Sequence, residues 1–111
     1  MKAGQVIAGL SALAQDHRLA LFRLLVQASE EGMAAGRIAE ALGLPNSSLS
    51  FHLAQLQSAG LIEQERQGRS LIYRADFAAM NALIAYLTEN CCGGTPCGDL
   101  PAGAALERET A

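Results

Sequence analysis

The three cysteines of the chain, Cys91, Cys92 and Cys97, lie within a span of seven residues. Two glycines and a proline between them favour a turn, which lets the third thiol approach the first two. Three thiolates do not complete the tetrahedral set of a structural zinc site, and no histidine follows to supply a fourth ligand. Three soft sulfurs suit a thiophilic ion that accepts three ligands, such as trivalent arsenic or antimony. The cluster therefore predicts a metalloid site within one subunit.

Two other uses of these thiols are open from the residues alone. Neighbouring thiols can oxidise to a disulfide, so a thiol redox switch is an alternative. A catalytic thiol, as in an arsenate reductase, needs a phosphate-cradling glycine-rich loop or an arranged base, and neither accompanies the cysteines. We therefore expect no enzymatic activity, no catalytic residues and no organic cofactor.

The most clearly organised stretch is residues 37–57, RIAEALGLPNSSLSFHLAQLQ, which predicts two short helices joined by a tight turn. Gly43 is the residue type that ends a helix in the left-handed conformation, and Pro45 fits the first turn of a new helix. Leu49 and Leu56 are two of three leucines at helical spacing, which indicates one buried face. The pattern is typical of a helix-turn-helix, although an ordinary helical hairpin shares its one-sided burial.

The opposite face of the second helix carries short hydroxyl or amide side chains, one aromatic ring and no charge. It consists of Ser47, Ser48, Ser50, Phe51 and Gln55. A solvated helix face normally carries Lys and Glu, whereas a helix that enters a major groove needs groups that can meet base edges. This face therefore predicts contact with double-stranded DNA.

After this helix the periodicity changes. Residues 61–66 and 70–75 are short strand-like runs on either side of a connection that contains Gly68, which predicts a β-hairpin. Arg66 and Arg69 near the tip of such a hairpin can reach a phosphate backbone or a minor groove. Because the first run is mostly polar, a solvated loop is the alternative.

The first and last helices are predicted to mediate dimerisation. Residues 4–14 are nearly uncharged, and residues 77–90, capped by Asp76, carry a broad apolar stripe. Helices with so few polar groups usually pack against a partner. A homodimer would present two recognition helices to a near-palindromic DNA site. A further helix is expected at residues 17–28, with Asp16 as its cap.

The composition limits the classes of protein that remain. The chain has 111 residues, half of them hydrophobic, and a formal net charge of −3. This size predicts one domain, at residues 1–92, followed by a cysteine-containing tail at residues 93–111. The net charge argues against a polybasic tail protein but does not exclude a local DNA-binding surface. No segment approaches the ~20 apolar residues of a membrane span, and we expect a cytoplasmic protein with reduced thiols.

Five segments together carry a family resemblance: residues 13–19 (LAQDHRL), 38–44 (IAEALGL), 47–53 (SSLSFHL), 59–62 (AGLI) and 68–74 (GRSLIYR). They resemble the ArsR/SmtB family of winged-helix repressors, over residues 10–92. The resemblance implies a mainly α winged helix-turn-helix fold, with about five helices and a two-stranded β-wing. It also implies a homodimer that leaves operator DNA when a metal ion binds.

Departures from the family pattern narrow the implied ligand. Many arsenic-sensing relatives have Cys-Val-Cys where this chain has Ala34, Ala35 and Gly36, and zinc-sensing relatives carry histidines on the last helix, which has none here. What remains resembles members whose arsenite cysteines lie at the end of the last helix. The resemblance therefore implies a repressor that responds to arsenite or antimonite. Phe51 stands where relatives often have a polar or basic residue, and it is suited to contact a thymine methyl group.

Two sets of site residues follow. The predicted ligands of the metalloid are Cys91, Cys92 and Cys97. The predicted DNA contacts combine the helix face, the hairpin and a histidine of the 47–53 segment: Ser47, Ser48, Ser50, Phe51, His52, Gln55, Arg66 and Arg69.

Overall fold

The computed structural model describes residues 1–90 and Gly93. Within residues 1–90 the chain forms five α-helices and three β-strands. In chain order they are α1 (Ala3–Leu13), α2 (Asp16–Gln27), β1 (Met33–Ala34), α3 (Ala35–Leu42), α4 (Asn46–Ser58), β2 (Ile62–Gln67), β3 (Ser70–Ala75) and α5 (Phe77–Leu87). The predicted winged helix-turn-helix fold is confirmed, with α3 and α4 as the helix pair and β2–β3 as the wing.

The described sheet has one strand more than predicted. The wing strand β3 pairs with β2 and also with the two-residue strand β1, so the order is β1-β3-β2 with both pairs antiparallel. Met33 of β1 lies opposite Tyr73 of β3. A two-residue strand is too short to show the alternation that identifies a strand in a sequence. The sequence therefore predicts only a lead into α3 at this point.

The turn between α3 and α4 is held by backbone hydrogen bonds at both ends. Gly43 ends α3 in the left-handed conformation, at φ 65°, as predicted. The Leu44 N–H donates to the Ala39 carbonyl oxygen at 3.0 Å. Pro45 lies just before α4 in extended conformation, not in its first turn, and its carbonyl oxygen accepts from the Leu49 N–H at 3.0 Å.

The hydrophobic core lies where α2 meets α3, α4 and the sheet. Leu21 and Leu25 of α2, Ile38 of α3 and Leu56 of α4 each have 0% exposure. The leucine stripe predicted for α4 is buried in this core. Since truncating a core leucine to alanine typically costs about 2–5 kcal/mol, this packing holds α4 firmly and leaves its opposite face outward.

The start of α2 differs from the prediction in one respect. Asp16 is not its cap; the side-chain oxygen of Gln15 accepts a hydrogen bond from the Arg18 backbone N–H at 2.9 Å. Asp16 is instead the first helical residue, where its negative charge still interacts favourably with the helix dipole. The bounds of α1 and α2 lie within one residue of those predicted.

The last helix begins as predicted and ends earlier. The carboxylate of Asp76 accepts from the Ala79 N–H at 3.0 Å, which confirms the predicted cap. The helix ends at Leu87, three residues before the predicted end. The Thr88 hydroxyl donates to the Ile84 carbonyl oxygen at 2.8 Å and so satisfies one of the last carbonyl groups.

The predicted metalloid site at Cys91, Cys92 and Cys97 lies outside the described residues, as does the predicted tail after Gly93. Both therefore stay predictions. None of the helices in the described part of the chain has the length and apolar character needed to traverse a bilayer.

Candidate nucleic-acid interface

The outward face of α4 carries most of the predicted DNA contacts. Ser47, Ser50 and Phe51 are exposed, and the Phe51 side chain keeps 57% of its surface. Ser48 is half-buried. Gln55 is exposed at the edge of this face, where its side chain also lines a cavity toward α1. The hydroxyl groups, the amide and the ring can contact base edges without the desolvation cost of a charged residue.

His52 requires a correction, because it does not share this outward face. Its side chain is only 8% exposed. The ring packs against His17 of α2, with ring centroids 5.6 Å apart, and against the edge of Phe51 at 5.8 Å. Buried in this contact, His52 orients α4 against α2 and is not placed to read a base directly.

The environment of His52 favours its neutral form. Burial lowers the pKa of the imidazole, and the positive charge of Arg18 and the proximity of His17 lower it further. The Arg18 Nη1 lies 3.5 Å from His52 Nδ1. Because a guanidinium can only donate, we assign the ring proton of His52 to Nε2, which leaves Nδ1 as the acceptor.

Arg18 is the residue of this region that sequence reasoning missed. Its Nε donates to the carbonyl oxygen of Ala12 at 2.7 Å, near the end of α1, while its Nη1 faces His52 of α4. One side chain thus connects the first helix to the recognition helix. A signal was available in the sequence, since a cation in the first turn of a helix opposes the helix dipole and needs another reason to be there.

The wing presents two exposed arginines and one paired arginine. Arg66 and Arg69 are exposed on either side of Gly68, which turns the hairpin at φ 63°. In contrast, Arg74 donates to the Glu65 carboxylate at 2.8 Å and lies 3.8 Å from Glu63. The hydrogen bond from Arg74 also lowers the pKa of Glu65. Arg66 and Arg69 are thus the wing cations with the freedom to meet a phosphate.

A second surface lies on α1 and α5. Ile7 and Leu10 of α1 and Ile84 and Leu87 of α5 are 64%, 42%, 50% and 57% exposed. We call these four residues the apolar face. Leu83 does not belong to it, because only 6% of its surface is exposed and it packs within the chain. Large contiguous apolar patches on protein surfaces are typical of sites of association.

Metal binding has no candidate in the described part of the molecule. Among residues 1–90 and 93, no three His, Cys, Asp or Glu side chains come close enough together to hold an ion. His17 and His52 are adjacent, but the described residues place no third ligand beside them.

Comparison with known proteins agrees with this fold. A helix-turn-helix domain model matches residues 13–65. The HTH-type transcriptional regulator YgaV of Escherichia coli (strain K12) is 33% identical over 90 residues, which cover 81% of this chain and 89% of YgaV. The domain model, the relative YgaV and the geometry of α3, α4 and the wing define a DNA-binding transcriptional regulator, and not an enzyme.

Solved structures identify the family to which this transcriptional regulator belongs. The homodimeric winged helix-turn-helix DNA-binding domain (fragment 1-100) Mb0332 from Mycobacterium bovis, described as a possible ArsR-family transcriptional regulator, is 32% identical with a TM-score of 0.62, covering 83% of this chain and 85% of that one. Reduced HlyU from Vibrio cholerae N16961 is 27% identical with a TM-score of 0.61, covering 81% and 92%. The chain therefore belongs to the ArsR family of winged helix-turn-helix regulators.

Proposed function

We propose that this protein is a homodimeric, cytoplasmic repressor that leaves its operator when trivalent arsenic or antimony binds Cys91, Cys92 and Cys97. The observation that carries the proposal is the position of the cysteines. They begin four residues after α5 ends at Leu87, and α5 contributes half of the apolar face. A ligand bound there acts next to the helix that holds the dimer together.

Two features support dimerisation: the exposed apolar face, and the small number of positively charged side chains that one subunit alone can bring to the DNA. The Mb0332 domain is homodimeric. A homodimer of this chain that packs α1 and α5 against their copies would bury Ile7, Leu10, Ile84 and Leu87. A dimer also doubles the number of wing arginines and recognition helices that meet the DNA, which a palindromic operator requires.

Release requires a difference in ion affinity between the free and DNA-bound dimers. Three thiolates that close around one ion draw the chain after α5 into a compact loop. Closure of so short a loop has a small entropy cost. The loop then constrains the end of α5 and changes the relative position of the two subunits. A coupling of ~1–3 kcal/mol lowers operator affinity about 5–150-fold.

The decisive experiment is release of a duplex that the parent protein has selected from a random DNA pool. Fluorescence anisotropy follows release during titration with arsenite, under a phosphine reductant that keeps the thiols reduced. The triple variant Cys91→Ser/Cys92→Ser/Cys97→Ser should bind the duplex like the parent and resist arsenite. If this variant is released at the same arsenite concentration as the parent, the cysteines are not the inducer site.

A thiol redox switch is the second candidate. Adjacent cysteines support it, and one structural relative was determined in a form described as reduced. Titration with hydrogen peroxide in place of arsenite separates the two. Release by peroxide alone, reversed by reductant, favours the redox switch, whereas release by arsenite under reducing conditions favours the metalloid site.

A further inference from the structure

A cavity of about 330 Å³ lies beside the recognition helix, between α1, α2 and α4. Its polar lining consists of Ser11 of α1, Arg18 of α2, and Gln55 and Ser58 of α4, and the remaining lining residues are alanines. We call this cavity the α1–α4 notch. Each polar residue can donate a hydrogen bond, and no carboxylate lines the notch. Its volume is at the lower end of the range for small-ligand pockets.

The charge of Arg18 in this notch is held in place but not neutralised. Its two contacts are the carbonyl oxygen of Ala12 at 2.7 Å and the imidazole of His52 at 3.5 Å, both without negative charge. Within residues 1–90 the only arginine with an acidic partner is Arg74. The lowered pKa of His52, to which the positive charge of Arg18 contributes, is consistent with an uncompensated charge.

The side chains that line the notch determine which chemical class of ligand it can bind. A guanidinium fixed by two contacts loses little conformational freedom on binding, and it prefers planar or tetrahedral oxyanions to other partners. Two hydroxyl groups and one carboxamide add neutral donors for the other oxygens of such an ion. The alanines of the lining leave space in the notch that larger side chains would fill.

We propose that the α1–α4 notch binds a phosphate-type oxyanion through Arg18, Gln55, Ser58 and Ser11. Two sources have this chemistry: a phosphate of the operator backbone, next to the recognition helix, and a small free oxyanion. In either case the bound oxygen atoms connect α1, which carries part of the apolar face, to α4. With the subunit interface placed as in the proposed function, on which this step rests, occupancy couples that interface to the DNA-reading helix.

The test uses the dimer of the 111-residue chain and compares Arg18→Gln with Arg23→Gln. Arg23 is an exposed arginine of α2 that does not line the notch, so its loss removes the same charge from the same helix. Because Arg18 also bonds Ala12, Ser58→Leu is the second variant. Ser58 is exposed, and a leucine there fills the notch without altering Arg18.

The first arm asks whether a free oxyanion binds. Sulfate, whose charge is constant between pH 5 and 8, is titrated against chloride at equal ionic strength and followed by NMR of the Arg18 Nε–H and the Gln55 side-chain amide. Parent and Arg23→Gln should show saturable shifts that Arg18→Gln and Ser58→Leu lose. Bound sulfate should also raise the pKa of His52 in the parent but not in Ser58→Leu, a response that a merely structural arginine would not give.

The second arm asks whether an operator phosphate occupies the notch. Arg18→Gln and Ser58→Leu should then bind every duplex at least about tenfold more weakly, the equivalent of one charge-assisted hydrogen bond. For Arg18→Gln the slope of log affinity against log salt should also fall by about one relative to Arg23→Gln. A response in either arm supports the proposal and identifies the source. If both notch variants match Arg23→Gln in both arms, the notch is not an oxyanion site.

Discussion

Two of the places where the described part of the chain exposes large apolar side chains differ in what surrounds those side chains. The apolar face places Ile7 and Leu10 of α1 with Ile84 and Leu87 of α5. Phe51 stands alone on α4, with serines before it. Water meets a broad apolar surface at a free-energy cost that a second apolar surface removes. A single ring among hydroxyl groups has the mixed polarity of a DNA groove, where thymine methyl groups lie among polar base edges.

The largest expected effect comes from placing a charge in the apolar face. Ile84→Glu would bury an unpaired carboxylate in the proposed dimer and shift the protein to monomer. Because a monomer engages only one half-site, affinity for a palindromic duplex should fall about 10²-fold or more. Sedimentation equilibrium and anisotropy on the same samples measure both quantities.

The matched control for this substitution is Leu19→Glu. Leu19 is 47% exposed on α2, outside the apolar face, so the same charge there should leave the dimer and its DNA affinity unchanged. Leu83→Glu is unsuitable, because Leu83 is buried within the chain and its substitution tests folding. A fully dimeric Ile84→Glu protein would remove the distinction between the two regions.

The corresponding substitution on α4 should have a smaller effect on DNA affinity, and the effect should depend on the DNA sequence. Phe51→Ser should leave the protein dimeric but weaken binding where the ring meets a thymine methyl group, by about 1 kcal/mol or roughly fivefold. Replacing that thymine by uracil deletes the methyl group, so the parent should lose affinity and the variant should not. An equal loss for parent and variant with uracil DNA would show that Phe51 does not contact the methyl group.

The wing should contribute to DNA affinity independently of the DNA sequence. Arg69→Ala should weaken binding to all duplexes and reduce the salt dependence by about one counterion, since it removes one phosphate contact. The effect over a fourfold change in salt is then only about fourfold, smaller than that of Phe51→Ser at its site. A change in base preference for Arg69→Ala would instead indicate that the wing reads bases.

Much of the fold was predictable because it is encoded locally. Gly43 marks the end of α3 by its conformational freedom, and helical leucine spacing identifies the buried face of α4. Two features were not predictable in this way. The strand β1 exists only because β3 lies beside it. Gln15 caps α2 in place of Asp16, and because the neighbouring side chains of both residues can accept a hydrogen bond, the sequence does not show which one forms the cap.

Residue types indicated which side chains of α4 to consider, but they did not show which of these side chains face outward and which face inward. The serines and Phe51 were identified by their lack of charge, whereas His52 was assigned to the DNA because it lies in the same segment. Its partner Arg18 is 34 residues away in the sequence, so no local pattern connects them. Only the packing of α2 on α4 shows that His52 is buried and that Arg18 lies beside it.

The smallest expected effect is a dependence on pH that reports how α4 is held. Burial, the charge of Arg18 and the proximity of His17 lower the pKa of His52 in the folded protein, while the unfolded chain keeps the ordinary value of 6.5. Below that value the unfolded state binds more protons than the folded state. The stability that His52 contributes is therefore complete above pH 6.5 and is lost as the pH falls from there through the lowered pKa.

The substitution His52→Gln keeps a hydrogen-bond acceptor for Arg18 but removes the titrating group. Urea unfolding at pH 7.5 and 5 should show a larger loss of stability for the parent than for this variant, and the NMR titration of His52 should lie below pH 6.5. Equal losses in both proteins, or an ordinary titration of His52, would mean that the recognition helix is not held by a neutral histidine.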